Sequence, residues 1–477
     1  MVKTLLGDLG VDIKRLANAY DQDFYRLHGL SGGIFFNRYD WGADRLVRYD
    51  IGTLDYLPLA PSTLTAAQAA AQMPLNDAAR TEFVRLMTTG QDRMPEIAAA
   101  AKQDYLYSIS YREFLGRHLD IREPAVFAML QDLTSDSSVG IEATSAGDAI
   151  FYSGLPGARA TGLPGRADEE PYIYHFPDGN ASVARLLVRE MIPSVAPGSS
   201  MEDVVSARFD YSQLDLPKAA LRLRLNSTVI HVENDAEPGS AKQVSVSYVQ
   251  AGTAHRVTAR NCVLACYNAM IPYLCPSLPA PQREALAEQV KTPILYTNVA
   301  LRNWQAWKKL GIGAVVSSGS YHLNAMLDFP VSLGDYTYGA QPDEPIAVHM
   351  ERFPHRANQG LSAREQRRRG RYELLATSFE SMERKIREQL AATLSGGGFD
   401  PARDIEGITV NRWAHGYADG YNPLEDPYYK DKDDARYPHV RGRKPFGRIT
   451  IANSDSGASA MLESAVEQAF RAVNELG

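Results

Sequence analysis

Three cysteines, no long apolar run and no excess of basic residues limit what this sequence can encode. Cys262, Cys266 and Cys275 are too few and odd in number for a disulfide framework, and their spacing matches no zinc or haem-attachment motif. Small buried hydrophobic roles are expected for the first two. No apolar stretch approaches the roughly 20 residues that span a bilayer. A net charge of −7 argues against nucleic acid as a partner of the whole surface.

The 477 residues, 44% of them hydrophobic, are enough for two domains of mixed α/β structure. Residues 1–135 predict mostly helices and loops, and residues 136–176 predict surface loops. A helix is expected from about Ala181 to Pro193, and another at 379–394. Alternating or continuous apolar patterns predict strands at 221–225, 227–233, 243–249, 255–259, 262–266 (buried on both faces), from 408 into an aromatic-rich loop ending at 429, and near 449.

The last thirty residues, "GRITIANSDSGASAMLESAVEQAFRAVNEL", predict a buried strand, a turn of small residues and an amphipathic helix. One stripe of this helix is apolar: Leu462, Val466, Ala469, Val473 and Leu476. A helix that begins at such a turn can place its N–H groups and positive dipole end on a phosphate, and Asp455 could accept hydrogen bonds from sugar hydroxyls. The alternative is a capping Asp or Ser on an ordinary surface helix.

Several stretches resemble the bacterial spermidine dehydrogenases of the flavin amine oxidase superfamily: "FPDGNASVARLLVREMIP", "NCVLACYNAMIPYLCPSLP", "VKTPILYTNVALRNW", "ITVNRWAHGYADGYNPLEDP" and the C-terminal segment. The resemblance implies an α/β (α+β overall) fold. It implies a Rossmann-like FAD domain at 177–270 and 440–477, incomplete at its N-terminus, and a mixed-sheet and helical substrate domain at 1–176 and 271–439. Ala414 and the segment at Asp419 depart from the family pattern, which leaves the substrate open.

The resemblance also implies the cofactor and its contacts. FAD is the implied cofactor, and a non-covalent haem without an assignable axial ligand accompanies it in the family. The residues expected at FAD are Val229 at the adenine, Ala265 beside the pyrophosphate, Asp455 near the ribitol or pyrophosphate, Ser456, Gly457, Ala458 and Ser459 in the phosphate-facing turn, and Val466 near the isoalloxazine.

Relatives of this kind begin with a strand, a G-x-G-x-x-G turn and a helix, and that turn is not found in this sequence. Gly7/Gly10, Gly29/Gly32/Gly33, Gly311/Gly313 and the run 396–398 lack the spacing or the preceding strand. We therefore expect the polypeptide as given to bind FAD poorly. A late start codon, a split gene and a degraded enzyme remain open, as do a separate N-terminal fragment or a homo-oligomer as partner.

The implied reaction is oxidation of the C–N bond of a polyamine such as spermidine, by hydride transfer to flavin N5 and hydrolysis of the imine. The candidates for catalysis are Tyr421, Trp413 and Lys291, although the lysine stands about three residues out of register with the family position. The candidates for binding the ammonium groups are Glu351, Asp419, Glu425 and Asp426. Packing between domains, turn structure or plain salt bridges would also explain these residues. The ten histidines show no metal-binding spacing.

Three functions stay open on the sequence. The first is an amine dehydrogenase, with an unidentified electron acceptor. The second is an inactive remnant or split-gene half that acts only as an interaction protein, and the third is a related flavin oxidoreductase acting on another substrate. Localisation depends on the same question, since an upstream twin-arginine signal would send the enzyme to the periplasm, whereas the residues given would stay in the cytoplasm.

Overall fold

The computed structural model describes residues 1–54, 56–134, 139–164, 172–418 and 420–476. The fold is mixed α/β, as predicted. The strands are β1 Ser31–Phe36, β2 Arg45–Val47, β3 Ser227–Asn234, β4 Val244–Gln250, β5 Thr253–Ala259, β6 Cys262–Leu264, β7 Thr292–Leu301, β8 Ile312–Val316, β9 Asn324–Leu327, β10 Ile346–Arg352, β11 Ile405–Tyr417 and β12 Ile449–Ile451.

Helices surround these strands. They are α1 Val2–Asp8, α2 Ile13–Ala19, α3 Phe24–Leu27, α4 Arg38–Trp41, α5 Ala66–Gln72, α6 Asp77–Thr88, α7 Ala99–Ser108, α8 Tyr111–His118, α9 Pro124–Leu130, α10 Asn180–Met191, α11 Asp203–Ser206, α12 Ile271–Leu274, α13 Ala280–Glu288, α14 Gln305–Leu310, α15 Ala363–Ala376, α16 Phe379–Leu394, α17 Pro401–Asp404, α18 Pro438–Gly442 and α19 Leu462–Asn474.

One large sheet carries the main hydrophobic core. Its strand order is β11-β7-β10-β9-β8-β1-β2, and only the β1–β8 pairing among the described strands of this sheet is parallel. Every residue of β1, β8 and β9 is buried. Trp304 and Trp307, which flank the start of α14, are fully buried in the same core. This sheet is therefore covered by the chain's own helices and loops.

Two smaller sheets lie apart from it. β3, β4 and β5 form an antiparallel meander, and β6 pairs in parallel with β12, Ile449 opposite Cys262 and Ile451 opposite Leu264. A separate apolar cluster joins the parallel pair to β3 and α13 through Val232, Leu286 and their neighbours. The predicted domain boundaries remain a prediction.

Several sequence predictions are confirmed by the element bounds. α16 spans the predicted 379–394, α10 begins one residue before the predicted start, and β3, β4, β5, β11 and β12 coincide with predicted strands. The strand predicted at 221–225 is wrong. Those residues form no ladder, because Arg222 and Arg224 turn their side chains onto Asp215 instead.

Three further expectations need correction. The helical reading of 1–135 missed β1 and β2, since "SGGIFF" is a continuous buried run with no alternation. The segment 136–176 is not simply surface loop, because Ile150, Leu155 and Ala160 are buried in the main core. The strand expected to be buried on both faces at 262–266 is only three residues long, and Val263 is 38% exposed, because β6 has β12 as its partner and no further strand beyond it among the described residues.

Candidate functional site

The carboxyl ends of the parallel strands β6 and β12 open onto the same place. The chain leaves β6 through Cys266, Tyr267 and Asn268, and it leaves β12 through Asn453 and Asp455. Ligands of open α/β sheets bind beyond the carboxyl ends of parallel strands, where the loops diverge. This junction also receives the start of β7 and the end of β11, so it lies where the small and large sheets meet.

A buried ion pair occupies the junction. Lys291 Nζ lies 2.5 Å from Asp455 Oδ1, and Asp455 is only 2% exposed. The other carboxylate oxygen accepts a hydrogen bond of 3.0 Å from the backbone N–H of Asn268. Lys291 Nζ also lies 5.1 Å from the centre of the Tyr267 ring. Both carboxylate oxygens therefore have partners within the protein, and Asp455 holds Lys291 and the loop at Asn268 in place.

Amide side chains extend this network. Gln289 donates to the backbone oxygen of Asp455 at 2.8 Å and accepts from Asn268 Nδ2 at 2.7 Å. Asn453 Nδ2 donates to Cys266 O at 2.5 Å and to Asn268 Oδ1 at 3.0 Å. Satisfied buried amides fix their neighbours in one arrangement, since a lost partner would leave a polar group unpaired. The loops after β6 and β12 are thus held in a single relative position.

The predicted phosphate-facing turn is a separate 3₁₀ turn, Ser454–Gly457, and not the first turn of the last helix. Asn453 caps it by accepting from Ser456 N at 2.8 Å, and Ala458 follows with φ +48°, a left-handed conformation that costs a residue with a Cβ. A Cβ on Gly457 would lie 2.1 Å from Ser464 Oγ, so a larger residue there would force the Ser464 side chain to move. Arg443 donates to the carbonyl oxygen of Ser456 at 2.7 Å.

α19 begins five residues after the end of this turn, at Leu462. Its N-cap residue Met461 makes no side-chain cap, so the first-turn N–H groups have no capping side chain among the described residues. The apolar stripe predicted for this helix is only partly covered: Val466 is buried, whereas Val473 is 62% exposed. The buried face instead includes Ser464, Gln468 and Ala472, which pack near the small-residue turn. The helix lies over β12 with an apolar strip left open.

Tyr267 and His415 complete the wall of the junction. Their rings lie 5.3 Å apart at 32°, which brings the end of β11 to the loop after β6. The pKa of His415 is lowered by its partial burial and by the charges of Arg371 and Lys291, which outweigh the opposite effect of Asp455. His415 therefore stays neutral near pH 7 and can donate or accept a hydrogen bond.

The other residues predicted to contact the cofactor are spread over this half of the molecule. Val229 lies on β3 opposite Tyr248 and is exposed, Ala265 is exposed directly after β6, and Ser459 lies half-buried between the turn and α19. Val466 is buried on α19. The structure therefore brings Asp455, the small turn, Ala265 and Val466 to one end of the β6–β12 pair, and their role towards a cofactor stays a prediction.

Tyr421 and Trp413 lie in different environments. The Tyr421 hydroxyl bonds His439 Nδ1 at 2.8 Å, and its ring stacks on Tyr437 at 4.6 Å. Trp413 lies on the edge strand β11 opposite Ile294 and is half-exposed. Tyr421 is thus held by packing partners, and catalytic roles for either residue stay a prediction.

The predicted acids hold structural partners. Glu425 accepts from the backbone N–H of Ala363 at the start of α15, at 2.7 Å, and Asp426 pairs with Arg364 at 2.8 Å. Asp419 lies outside the described residues. Glu425 and Asp426 therefore fasten the aromatic-rich loop to α15.

Glu351, on β10, faces the polar side of the large sheet. It accepts from Asn324 Nδ2 at 2.6 Å and lies 3.5 Å from His349 Nε2. The hydroxyls of Tyr296 and Tyr417 bond each other on the neighbouring strands. This face combines tyrosine rings, an acid and amides, which are groups that can orient a cationic molecule.

The sequence reasoning missed Asn268, Gln289 and Asn453, which hold the junction, and a cluster of aromatic side chains around Asp328. Asn268 and Asn453 could have been found from their place just after the two parallel strands. The aromatic cluster could not, because its members come from four distant chain segments.

Two findings concern metals and membranes. Among the described residues no group of three or more His, Cys, Asp or Glu side chains is placed to hold a metal ion. Within the same residues no helix combines the length and apolar character needed to cross a membrane.

Comparison with known proteins gives structural likeness and no match in sequence. The chain matches no protein-family model and no curated protein. Cyclohexylamine oxidase from Brevibacterium oxydans is 12% identical with a TM-score of 0.46, over 95% of this chain and 84% of that one. Wild-type putrescine oxidase bound to putrescine is 14% identical with a TM-score of 0.49, over 98% of this chain and 86% of that one. Such identities are too low to transfer residue roles.

Proposed function

We propose that this chain is the larger part of an FAD-dependent amine oxidoreductase that acts on a polyamine such as spermidine. The observation that carries the proposal is the arrangement at the carboxyl ends of β6 and β12. A tight turn of small residues there precedes α19, whose N-cap residue Met461 makes no side-chain cap. Such a helix start favours a phosphate group. The sequence resemblance to spermidine dehydrogenases supplies the substrate class.

The residues present fit one half of a flavin dinucleotide site. The N–H groups of Ser456 and Ala458 are used within the turn, where they donate to Asn453 Oδ1 and Asp455 O, so the start of α19 is the part of this segment that would offer backbone N–H groups to a phosphate. The ion pair with Lys291 fixes Asp455, so this carboxylate positions the turn, and contact with a sugar would need its remaining lone pairs. The glycine-rich half that would clasp the other side of the diphosphate is not found in residues 1–477.

Apolar side chains near the β6–β12 pair offer a surface that a glycine-rich segment could cover. Val263 on β6, Val473 on α19 and Ile230 on β3 are exposed apolar side chains in the same half of the molecule. Among the described strands β6 and β12 form a parallel pair without a third strand, which is unusual because parallel sheets are normally covered on both faces. We infer that a segment or chain bearing a strand, a glycine-rich turn and a helix completes this sheet.

Bound FAD would supply the hydride acceptor, and the chain's own residues would bind and orient the amine. The acid and tyrosines of the polar sheet face, Glu351, Tyr296 and Tyr417, are suited to hold an ammonium group beside a neutral reacting amine. His415 adds a neutral hydrogen-bonding group at the junction. Lys291 would take no part in proton transfer, because Asp455 already binds its ammonium group.

The test compares flavin content and turnover in two preparations. Purified residues 1–477 should hold much less than one FAD per chain, whereas co-expression with a glycine-rich strand–turn–helix segment encoded beside it should raise the ratio towards one. Anaerobic spermidine should then bleach the flavin absorbance, and an amino acid at the same concentration should not. Bleaching by the amino acid alone would instead favour the related oxidoreductase, and no flavin in either preparation would overturn the proposal.

A second function, an interaction protein without catalysis, is favoured by the same exposed apolar side chains on β6 and α19. It predicts that the co-expressed segment binds the chain tightly while neither the complex nor the chain takes up flavin. Size-exclusion chromatography of the complex, read at the flavin wavelength, separates the two outcomes.

A further inference from the structure

A cluster of aromatic rings lies on the large sheet, away from the β6–β12 junction. The aromatic cluster consists of Tyr20, Tyr56, Tyr172, His175 and Phe329. His175 and Phe329 have ring centres 4.5 Å apart, Tyr172 lies 5.5 Å from each of them, and Tyr56 lies 5.8 Å from Tyr172. Tyr20 reaches Phe329 at 6.2 Å. Tyr172 is 54% exposed, so the cluster is open to solvent on one side.

The carboxylate of Asp328 lies beside these rings without a counter-ion. Asp328 directly follows β9, and one of its oxygens accepts from the N–H of Phe329 at 2.9 Å. Among the described residues it forms no ion pair. Burial raises its pKa, although the hydrogen bond from Phe329 and the nearby His349 and His175 oppose the rise. An unpaired carboxylate in partial burial is costly unless a cation joins it.

A second polar group in the cluster also lacks a partner. The Tyr20 hydroxyl is buried, the residue being 4% exposed, and it makes no hydrogen bond among the described residues. Burial first, and then the charges of Tyr172 and Asp328, raise its pKa, and the Tyr20 ring lies 6.2 Å from that of Phe329, the residue after Asp328. Buried hydroxyls in proteins nearly always have a partner. An open donor or acceptor here points to a group that is bound from outside.

The chemistry of the cluster favours an organic ammonium ion over a metal ion. Calcium and magnesium need about six or more oxygen ligands, whereas this site combines one carboxylate with ring faces. Aromatic faces attract ammonium groups, and more strongly when water is excluded. Glu351 provides a second acid on β10, the strand that pairs with β9 directly before Asp328. Two acids on one aromatic surface suit a molecule with two positive charges.

We propose that Asp328 and the aromatic cluster bind the distal ammonium group of a diamine or polyamine. This inference deepens the proposed function and rests on it for the identity of the substrate. Asp328 serves as the counter-ion, Tyr172 and Phe329 present ring faces, and the Tyr20 hydroxyl accepts a hydrogen bond from the ammonium group. The site then sets specificity for amines that carry a second charge.

Calorimetric binding of putrescine to the full chain tests the site without flavin or turnover. Putrescine should bind, and 1,4-butanediol, the same length without charge, should not. Asp328→Asn should weaken putrescine binding at least tenfold, and Tyr172→Leu, at an exposed position where folding is little affected, about threefold or more. The matched control is Asp104→Asn, an exposed acid on α7, which should bind putrescine like the unaltered chain.

Circular dichroism and thermal unfolding of each variant separate a lost site from a lost fold. Equal putrescine binding by the unaltered chain and a folded Asp328→Asn would overturn the inference, as would no putrescine binding at millimolar concentration. The outcomes also separate the two proposals. Charge-dependent putrescine binding without flavin uptake would support the ammonium site and contradict the proposed oxidoreductase function. Spermidine oxidation with an unchanged KM in Asp328→Asn would support the oxidoreductase function and contradict the ammonium site.

Discussion

The large seven-stranded sheet and the small β6–β12 pair differ in how completely their strands are buried. In the large sheet β1, β8 and β9 are buried at every residue, and helices of the same chain cover them. In the small pair β6 has three residues and leaves Val263 exposed, and in the nearby meander β5 is exposed along almost its whole length. The first region covers its strands with its own residues, whereas the second leaves part of its strands exposed.

Two-stranded sheets have little stability of their own. The β6–β12 pair therefore depends on its packing against β3 and α13 and on the network at the junction. The strongest link between the two regions in that network is the ion pair from Lys291, at the start of β7, to Asp455, after β12. We therefore expect loss of this ion pair to destabilise the small region more than the large sheet.

The largest effect is expected from Lys291→Met. The change leaves the Asp455 carboxylate buried and without its counter-ion, which typically costs about 3–5 kcal/mol. Urea unfolding followed by tryptophan fluorescence would measure the loss, and hydrogen exchange would show whether β6 and β12 open before β7 to β10.

The double variant Lys291→Met/Asp455→Leu is the matched control, because it removes both charges. It should recover much of the stability, since replacing a buried pair by apolar groups is often nearly neutral. A double variant as unstable as Lys291→Met would show that the polar network, and not the unpaired charge, holds the junction.

A second prediction compares one apolar truncation in each region. Leu327→Ala, at a fully buried end of β9, should lower the free energy of unfolding by about 2–5 kcal/mol. Val263→Ala, on the exposed face of β6, should lower it by less than about 0.5 kcal/mol. Chemical denaturation of both variants checks the difference, and similar losses would mean that β6 is covered in solution, for example by a second copy of the chain.

The comparison also shows what the sequence could predict. Local patterns were enough for α16, α10 and the strands β3 to β5, because each has its own spacing and turn residues. The burial of β6 was predicted wrongly, since "CVLAC" has the pattern of an enclosed strand and the pattern does not say whether a covering strand is present.

Tertiary partners decided the rest of the candidate site. Asp455 was placed at the right turn from the sequence, but its pairing with Lys291 joins residues 164 positions apart, which no local pattern encodes. Glu425 and Asp426 are acids that could bind ammonium groups, yet in the structure they bind the start of α15. The aromatic cluster has no motif, since it forms only when the loops from four segments meet on the sheet.

The third prediction concerns pH and two buried histidines with opposite behaviour. In the large region burial opposes the charge of His355, but Asp132, 3.4 Å away, raises its pKa overall. In the small region burial, aided by the charge of Arg443, lowers the pKa of His439 to about 4. Unfolded histidine has a pKa near 6.5.

The signs follow from proton linkage. The His355 contribution is fully present below about pH 6.5 and is lost as pH rises through its raised pKa. The fold keeps His439 neutral, so its contribution is lost as pH falls from about 6.5 towards 4. Unfolding curves of His355→Gln and His439→Gln between pH 4 and 8 should therefore differ from the unaltered chain in opposite pH ranges. The same range for both would contradict the burial of one of them.

The smallest effect on stability is expected on the exposed apolar strip of α19. Val473→Ser removes an apolar side chain that is 62% exposed, so the free energy of unfolding should change by no more than about 0.5 kcal/mol. If a second surface covers this strip in solution, the same substitution should weaken association, which light scattering at increasing concentration would measure. Leu225→Ser, at another exposed apolar side chain away from α19, serves as the control and should leave association unchanged. Equal association of all three proteins would mean that the open strip is left in water, and the small region would then be stable without a cover.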